Sequence, residues 1–538
     1  MNWLKKIWKK IKNNISRNIV FYKLNYLNKN VSNVLWTIIR VIGKIRFLFL
    51  IYFLLIFIGT LLLYSSWAQK KSSSFFESLF TAMSAFSVTG LSLKPTNENW
   101  TIFGQIVIAL LIIVGGVGFF AIKIYFFNFL LKRKHSIFEN ELILMERGSK
   151  NRQSLRETIV VSLTIIFSLI IISSIIFAFI LYFSKPDINV PESAYKNWGR
   201  SLRYGIFHAI ASINNAGLDI FGAHSLSGYY SNYFLQVWTL ILFVIGGIGY
   251  PVIYDIHCWL KNKLNKGNKV EFKFSLLTKL SLFSYFFIVI IGITFIIFFE
   301  ISNQRPNSFW NKSTSDIEHY YYINDLGQRQ AFHYGSKASK VWALIFSVFS
   351  SRNAGFVTFD IYDLSDGSLL FLSFLMFVGA SPSSTGGGIR TTTLSLVIIT
   401  IFSMMIGKNS THAFKKKIKD STITQAFVVF CWSIILITLC WIILVTSFKK
   451  YGGNIPSDTH DSTRTYNMID LLFEVTSAFG TTGFSTGITN KLNFASQFTI
   501  VFLMFIGQLG ISSTILIWGN HNFKVRKIEY IEEDILIG

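Results

Sequence analysis

Charged side chains are scarce in this sequence. Only 14% of its 538 residues are Asp, Glu, Lys or Arg, and 27 are acidic. A soluble chain of this length carries about a quarter, so a soluble globular fold is excluded. Cysteine is nearly absent. Cys258, Cys431 and Cys440 have no metal-ligand spacing and build no disulfide framework. Cys431 and Cys440 share one apolar run and read as small hydrophobic residues. Catalytic signatures are missing too. The nine histidines are scattered, and no HExxH, GxSxG or Walker loop occurs. The glycine pairs in IGGVGF and IGGIGYP follow no strand and are not dinucleotide sites. These absences argue against an enzyme, against a cofactor, and against a nucleotide-sensing domain within this chain.

What remains is apolar and comes in blocks. Hydrophobic residues make up 51% of the chain, and residues 47–67 form an almost unbroken run that several later stretches match in length. About twenty apolar residues let a helix cross the hydrocarbon layer. The sequence therefore reads as an all-α integral membrane protein. The formal net charge is +24, which in a soluble protein would suggest nucleic acid. No aromatic–basic recognition module is present, so no nucleic acid is expected as a partner. The basic residues instead crowd the N-terminal tail and residues 132–156, 261–279 and 408–419, the pattern of cytoplasmic loops. Lysines and tryptophans interrupt residues 1–30, so the start of the chain does not read as a cleavable signal.

Strong spans fall near 45–68, 158–183, 276–301 and 425–448. Each is followed by a shorter segment and then a second span, near 102–131, 234–260, 369–407 and 498–519. The order span, short segment, span thus occurs four times. The short segments read FTAMSAFSVTGL, FHAIASINNAGL, IFSVFSSRNAGF and FEVTSAFGTTGF. They align on Gly90, Gly217, Gly355 and Gly483, with Thr89, Ala216, Ala354 or Thr482 before the glycine and Leu or Phe after it. The expected units are a basic tail (1–44), repeats at 45–156, 157–274, 275–423 and 424–522, and a tail at 523–538. Eight spans would return both termini to the cytoplasm. The Tyr-rich stretch 303–340, inserted in the third repeat, would lie outside.

Ten apolar residues and a turn are too short to span. A re-entrant half-helix that descends, turns at the glycine and climbs back would fit. Irregular backbone at membrane depth is tolerated where protein buries it or it lines a wet cavity. Four such turns on one axis would stack rings of carbonyls, which can replace the hydration shell of a cation. Glycine suits the turn because positive φ costs it no side-chain clash. The expected ion ligands are backbone carbonyls of Ser87, Val88, Thr89 and Gly90; Asn214, Asn215, Ala216 and Gly217; Arg352, Asn353, Ala354 and Gly355; and Gly480, Thr481, Thr482 and Gly483. Packing glycines in a generic bundle are the bland alternative, but packing does not demand four matched lead-ins.

These segments, together with INNAGLD (213–219), IGGIGYPVI (245–253), FVGASPSSTGGGIRTTT (377–393) and the closing EYIEEDILIG, resemble the Trk/Ktr/HKT superfamily of potassium transporters, and most closely the bacterial KtrB-type pore subunit. The resemblance covers nearly everything from Ile45 onward. It implies four helix–pore loop–helix repeats around one pore in the cell membrane, with one filter glycine per repeat. It also implies a homodimer and a cytoplasmic nucleotide-binding regulatory subunit of the KtrA/TrkA type. Potassium is the implied cargo, with sodium coupling left open. Members with glycine in every repeat favour potassium, and Gly90 places this chain with them. A single glycine per segment, where TVGYG-type channels have two, predicts weaker discrimination against sodium. An ion-coupled secondary transporter or a less selective cation channel are the alternatives. The former needs acids deep in the spans, and Asp255 and Glu300 lie near span ends.

Residues 379–390, GASPSSTGGGIR, interrupt the third repeat's second span. Such backbone cannot continue a lipid-facing helix. In the resembled family it matches an intramembrane loop that lies under the filter and gates it. Gly379, Ser381, Pro382, Ser383, Ser384, Thr385, Gly386, Gly387, Gly388 and Arg390 are the expected gate residues, and the glycine triplet supplies flexibility. The family usually carries an arginine in its last span near this loop. FIGQLGIS places Gln508 there instead, which puts a charge-based barrier in doubt. Arg352 either braces the filter from behind or tunes the field at an ion site. Asp219 is placed to concentrate cations at the mouth. Glu77 and Glu474 are expected to cap pore half-helices. Residues 2–19 put Trp3, Leu4, Ile7, Trp8, Ile11 and Ile15 on one helical face, as in an interfacial amphipathic helix, a docking element for the partner or a simple anchor.

Overall fold

A computed structural model describes residues 44–119, 121–123, 125, 152–188, 192–222, 225–264, 272–306, 308–313, 321–323, 329–331, 333–408, 410–450, 466–511 and 514. The amphipathic tail, much of the basic loop 132–156 and the closing EYIEEDILIG lie outside the described residues.

Among the described residues, four helices are long and apolar enough to cross a membrane: α1 (Lys44–Tyr64), α4 (Arg152–Phe183), α8 (Leu276–Ser302) and α12 (Asp420–Lys450). Phe53, Ile171, Phe283 and Ile290 stand exposed on them. Such a surface is stable against lipid and not against water. Each long helix is followed by a pore helix: α2 (Phe75–Phe86), α5 (Trp198–Asn214), α9 (Lys337–Ser350) and α13 (Met468–Gly480). A second apolar helix then completes each unit: α3 (Ile102–Val117), α6 (Tyr233–Gly247), α10 (Asp366–Phe377) and α14 (Phe494–Leu509). The second helices all begin the same way. The side chains of Thr101, Asn232, Ser365 and Asn493 accept the backbone N–H three residues on, satisfying one of the orphan donors of a helix start.

Among the described residues the second spans are interrupted where the sequence suggests continuous helix. α3 stops at Gly118, α6 stops before Gly249 and α14 stops at Gly510, with φ of 95°, 88° and 82°. Glycine at positive φ breaks the helical path in mid-run, although the apolar pattern continues through it. In the second repeat the chain resumes as α7 (Tyr250–Leu264), bent 104° from α6. In the third, α10 and α11 (Thr391–Met405) are separated by the expected irregular stretch. Two small hairpins, β1 (Tyr321–Ile323) with β2 (Arg329–Ala331) and β3 (His412–Ala413) with β4 (Lys416–Lys417), are the strands among the described residues. The former lies in the insert, whose last residues already belong to α9.

The packing closes on itself. α3 lies against α5, α6 against α9, α10 against α13, and α14 against α2. Each repeat's second helix thus supports the next repeat's pore helix, and the fourth supports the first. This cyclic arrangement places the ends of the four pore helices around one axis.

Candidate functional site

All four pore helices end in the same backbone. Two residues before each glycine the chain enters the left-handed region, at Val88, Asn215, Asn353 and Thr481, with φ of 57°, 60°, 88° and 50°. The glycines follow at positive φ: 97° at Gly90, 61° at Gly217, 75° at Gly355 and 90° at Gly483. The amides of Thr89, Ala216 and Thr482 donate to carbonyls five residues back, at Ser84, Ala211 and Ser477, over 2.9, 2.8 and 2.9 Å. In the third repeat Gly355 makes the equivalent reach to Ser350 at 3.2 Å. Sequence reasoning singled out the glycines and missed the preceding left-handed residue. Asn215 and Asn353 carried a signal, since asparagine tolerates that region. Val88 and Thr481 carried none. β-branched residues there are strained, and such strain persists only where surrounding structure holds it.

The four turns meet. A Cβ added to Gly90 would lie 2.6 Å from the carbonyl oxygen of Ala216, and one added to Gly217 would lie 3.0 Å from that of Ala354. Added to Gly355 or Gly483, it would approach the carbonyls of Thr482 and Thr89 closer still. The contacts run from repeat one to two, three, four and back to one. Each glycine abuts the carbonyl that precedes the next, so four carbonyl oxygens and four glycines share one level of a closed ring. Behind it, glycines of the second helices admit the pore-helix ends. A Cβ on Gly115, Gly246 or Gly507 would strike the carbonyl of Phe86, Ile213 or Phe479 in its own repeat. That is the use of the paired glycines in IGGVGF and IGGIGYP.

Beyond the glycines the chain lines a cavity of about 280 Å³, bordered by the four glycines and by Lys94, Asp219 and Asp360. Lys94 pairs with Glu77 at 2.9 Å. Asp219 lies in the loop after the filter, outside the membrane-spanning helices. It borders the cavity yet is largely enclosed by protein, and this desolvation pushes its carboxyl up to about 7. Backbone N–H groups of Phe221 and Gly222, at 3.0 and 3.4 Å, pull the other way.

Arg352 does not face this cavity. Its buried guanidinium donates to the carbonyls of Leu375 at 2.6 Å, Gly379 at 2.8 Å and Val378. It therefore caps the end of α10, where a cation meets the negative end of the helix dipole. Of the two readings of Arg352, the geometry supports the brace. Glu77 caps α2 through a reciprocal box with Ser74. Glu474 does not cap α13. Asp470 fills that role with Asn467, because the helix begins a turn and a half earlier than the apolar pattern suggests. Glu474 is buried and holds the limb that leaves the filter, accepting from Ser485 Oγ at 2.5 Å, Thr486 N at 3.2 Å and Thr489 Oγ1 at 2.8 Å.

On the other face of the ring lies the irregular segment 378–390, nearly all of it buried, as unwound backbone at this depth must be. It bonds to the second and fourth repeats as well as to its own. Ser381 N donates to the carbonyl of Gly247 at 3.1 Å, and Tyr250 N to that of Ser383 at 3.1 Å. Gly388 N donates to the carbonyl of Gly507 at 3.2 Å. The Arg390 guanidinium folds back onto the Gly386 carbonyl. Gln508 Nε2 donates to the carbonyl of Gly115 at 2.9 Å and approaches that of Thr385 at 3.5 Å. A neutral amide thus links the loop, the fourth repeat and the first. Ser87 and Asn214 bond within their own turns, Ser87 Oγ to Thr89 Oγ1 at 2.6 Å and Asn214 Nδ2 to the Ile210 carbonyl at 2.9 Å. Among the described residues no group of three or more His, Cys, Asp or Glu is placed to hold a metal ion. The oxygens that abut the four glycines are the backbone carbonyls of Thr89, Ala216, Ala354 and Thr482.

Comparison with known proteins agrees with this architecture. Residues 20–521 match the family model TrkH, described as cation transport protein. An uncharacterized cation transporter of Mycoplasma genitalium is 31% identical, over 87% of this chain and 89% of its own length. Ktr system potassium uptake protein D of Bacillus subtilis is 28% identical, over 93% of this chain and 98% of its own. The potassium transporter TrkH from Vibrio parahaemolyticus superposes with a TM-score of 0.61 at 14% identity, covering 89% of this chain and 85% of that one, and so shares the fold. Four pore helices converging on a glycine ring, inside an all-α membrane bundle matched along almost its whole length, place this chain in the TrkH family of cation transport proteins.

Proposed function

We propose that this chain takes up potassium across the cell membrane through the glycine ring, with segment 378–390 as its gate. The closed sequence of contacts Gly90–Gly217–Gly355–Gly483 carries the reading. It supplies carbonyl oxygens from four sides at one level, and carbonyls can replace the water around a monovalent cation. Thr89, Ala216, Ala354 and Thr482 are the first ligands to consider, with the flanking residues of each turn above and below. The cavity beyond the ring is the entry, where Asp219 and Asp360 favour cations. Relatives named as potassium uptake proteins support potassium as the cargo, and one named a potassium/sodium uptake protein keeps sodium in view. Basic residues crowding 132–156, 261–279 and 408–419 favour a cytoplasmic placement for those loops and for both termini. A homodimer and a cytoplasmic nucleotide-binding regulatory subunit complete the assembly that the family resemblance implies.

The test is cation flux into liposomes containing the purified chain, comparing potassium, rubidium and sodium, with Gly483→Ser alongside. Potassium-preferring flux that the substitution weakens or makes less selective is expected. Flux indifferent to the substitution, measured with and without the regulatory subunit, overturns the filter.

A further inference from the structure

The left-handed residues two positions before the filter glycines are Val, Asn, Asn and Thr in chain order, and the partners of their side chains differ between the repeats. Val88 has no polar atom. The Asn215 amide, oriented to satisfy both its ends, donates to the carbonyls of Ser212 and Phe243, in its own pore helix and its own second helix. Asn353 and Thr481 instead reach the irregular segment. Thr481 Oγ1 accepts the amide of Gly387 at 2.7 Å. Asn353 Nδ2 donates to the carbonyl of Gly387 at 3.3 Å and to that of Gly480, in the fourth filter turn. Gly387 is thus held at both its N–H and its C=O by side chains of two filter turns. It is also packed too tightly for any larger residue. A Cβ there would lie 2.6 Å from Thr481 Cγ2 and 2.7 Å from the Gly507 carbonyl. Asn353 and Thr481 are both buried.

We propose that the Asn353 and Thr481 side chains are positioning residues for ion selectivity, which couple the filter turns of repeats three and four to the position of the loop. This rests on the reading of 378–390 as a moving gate. While the loop is seated, Gly387 holds both left-handed turns in place. When the loop leaves, Thr481 Oγ1 and Asn353 Nδ2 lose a partner in a buried setting. A non-glycine residue in the left-handed region then lacks the support that holds it there. Coupling between two sites is reciprocal. An ion that fits the filter therefore favours one loop position, and the loop position alters which ion fits. The filter turns of repeats one and two lack this link, because Val88 has no polar side-chain atom and the Asn215 amide is spent on Ser212 and Phe243.

The test uses the full-length chain and two readouts. The first is thermal stabilisation in detergent by KCl against NaCl, which reports cation preference at the filter without requiring an open pore. The second is flux in liposomes. Thr481→Val keeps shape and β-branching but removes the acceptor, Gly387→Ala wedges the same contact from the loop side, and Thr481→Ser retains the hydroxyl. Expected is a fall of about fivefold or more in the potassium-over-sodium preference for Thr481→Val and Gly387→Ala. Thr481→Ser should restore it toward the parent, a rescue that a purely steric role would not give. Unchanged preference in both Thr481→Val and Gly387→Ala overturns the coupling. Deleting residues 386–388 separates the two ideas. If the deletion raises flux while Thr481→Val keeps full preference, the gate stands and the coupling falls. If it leaves flux unchanged, the gate reading fails and takes the coupling with it.

Discussion

Arg352 donates to the carbonyl of Gly379 at 2.8 Å, so the one cation of the third filter segment points away from the ion path and into the end of the neighbouring helix. The same guanidinium reaches Leu375 and Val378 and lies 5.8 Å from the ring of Tyr285. A full positive charge within a filter sequence would oppose cations. Here it is spent on three carbonyls that the break in the second span would otherwise leave without partners.

Removing that side chain should cost stability before selectivity. Arg352→Met leaves buried carbonyls unpaired, and bonds to a charged donor contribute about 1.5–3 kcal/mol each. A loss of roughly 3 kcal/mol or more is expected, read as a lowered Tm in detergent, with the ion preference of the surviving protein retained. Arg352→Lys should rescue poorly, since one ammonium cannot reproduce the planar fork. A variant of full stability but lost selectivity would place the charge at the ion instead.

The glycine ring predicts a graded response. Alanine at Gly217 meets the Ala354 carbonyl at 3.0 Å, at Gly90 it meets Ala216 at 2.6 Å, and at Gly355 and Gly483 the approach is closer. Overpacking of a tight site costs about 1–3 kcal/mol. Potassium flux should therefore survive best in Gly217→Ala, less in Gly90→Ala, and least in Gly355→Ala and Gly483→Ala. Equal losses at all four positions would mean that positive φ alone, and not the neighbouring carbonyl, sets the requirement.

Asp219 gives the entry a pH dependence. Its carboxyl is pushed up to about 7, so it is charged above neutrality and loses that charge as pH falls through 7. Potassium flux measured at low ionic strength should decline between pH 8 and 6, by a few-fold to about tenfold, and less at high salt. The step should vanish in Asp219→Asn. Lys94 and Asp360 border the same cavity, and a step that persists in Asp219→Asn would assign the titration to another group.

Glu474 fixes the limb beyond the fourth filter turn through Ser485, Thr486 and Thr489. Glu474→Gln keeps the volume but turns an N–H₂ toward donors, at about 1–3 kcal/mol. A lower Tm together with a reduced potassium-over-sodium flux ratio is expected. Unchanged values in both would make the limb self-supporting.

Much of this architecture was legible in the sequence because it is written in local chemistry. The long first spans, the fourfold order of elements and the glycine of each turn follow from hydropathy and from the φ that only glycine adopts freely. The break, read at 379–390, was legible for the same reason, since Pro382 and three consecutive glycines cannot continue a lipid-facing helix. The breaks at Gly118, Gly249 and Gly510 were not legible, because apolar residues continue past them. Glu474 read as a cap because the sequence shows that an acid lies near a helix start, but not where the helix begins. Only the tertiary structure decided contacts between segments distant along the chain: the closure of Gly483 onto Thr89 and the bond from Gln508 to Gly115, each spanning hundreds of residues, and, over shorter separations, the turn of Arg352 onto the end of α10 and the capture of Gly387 between Asn353 and Thr481. Whether they join two repeats or two elements of one, no local pattern specifies which carbonyl a neighbouring segment will present.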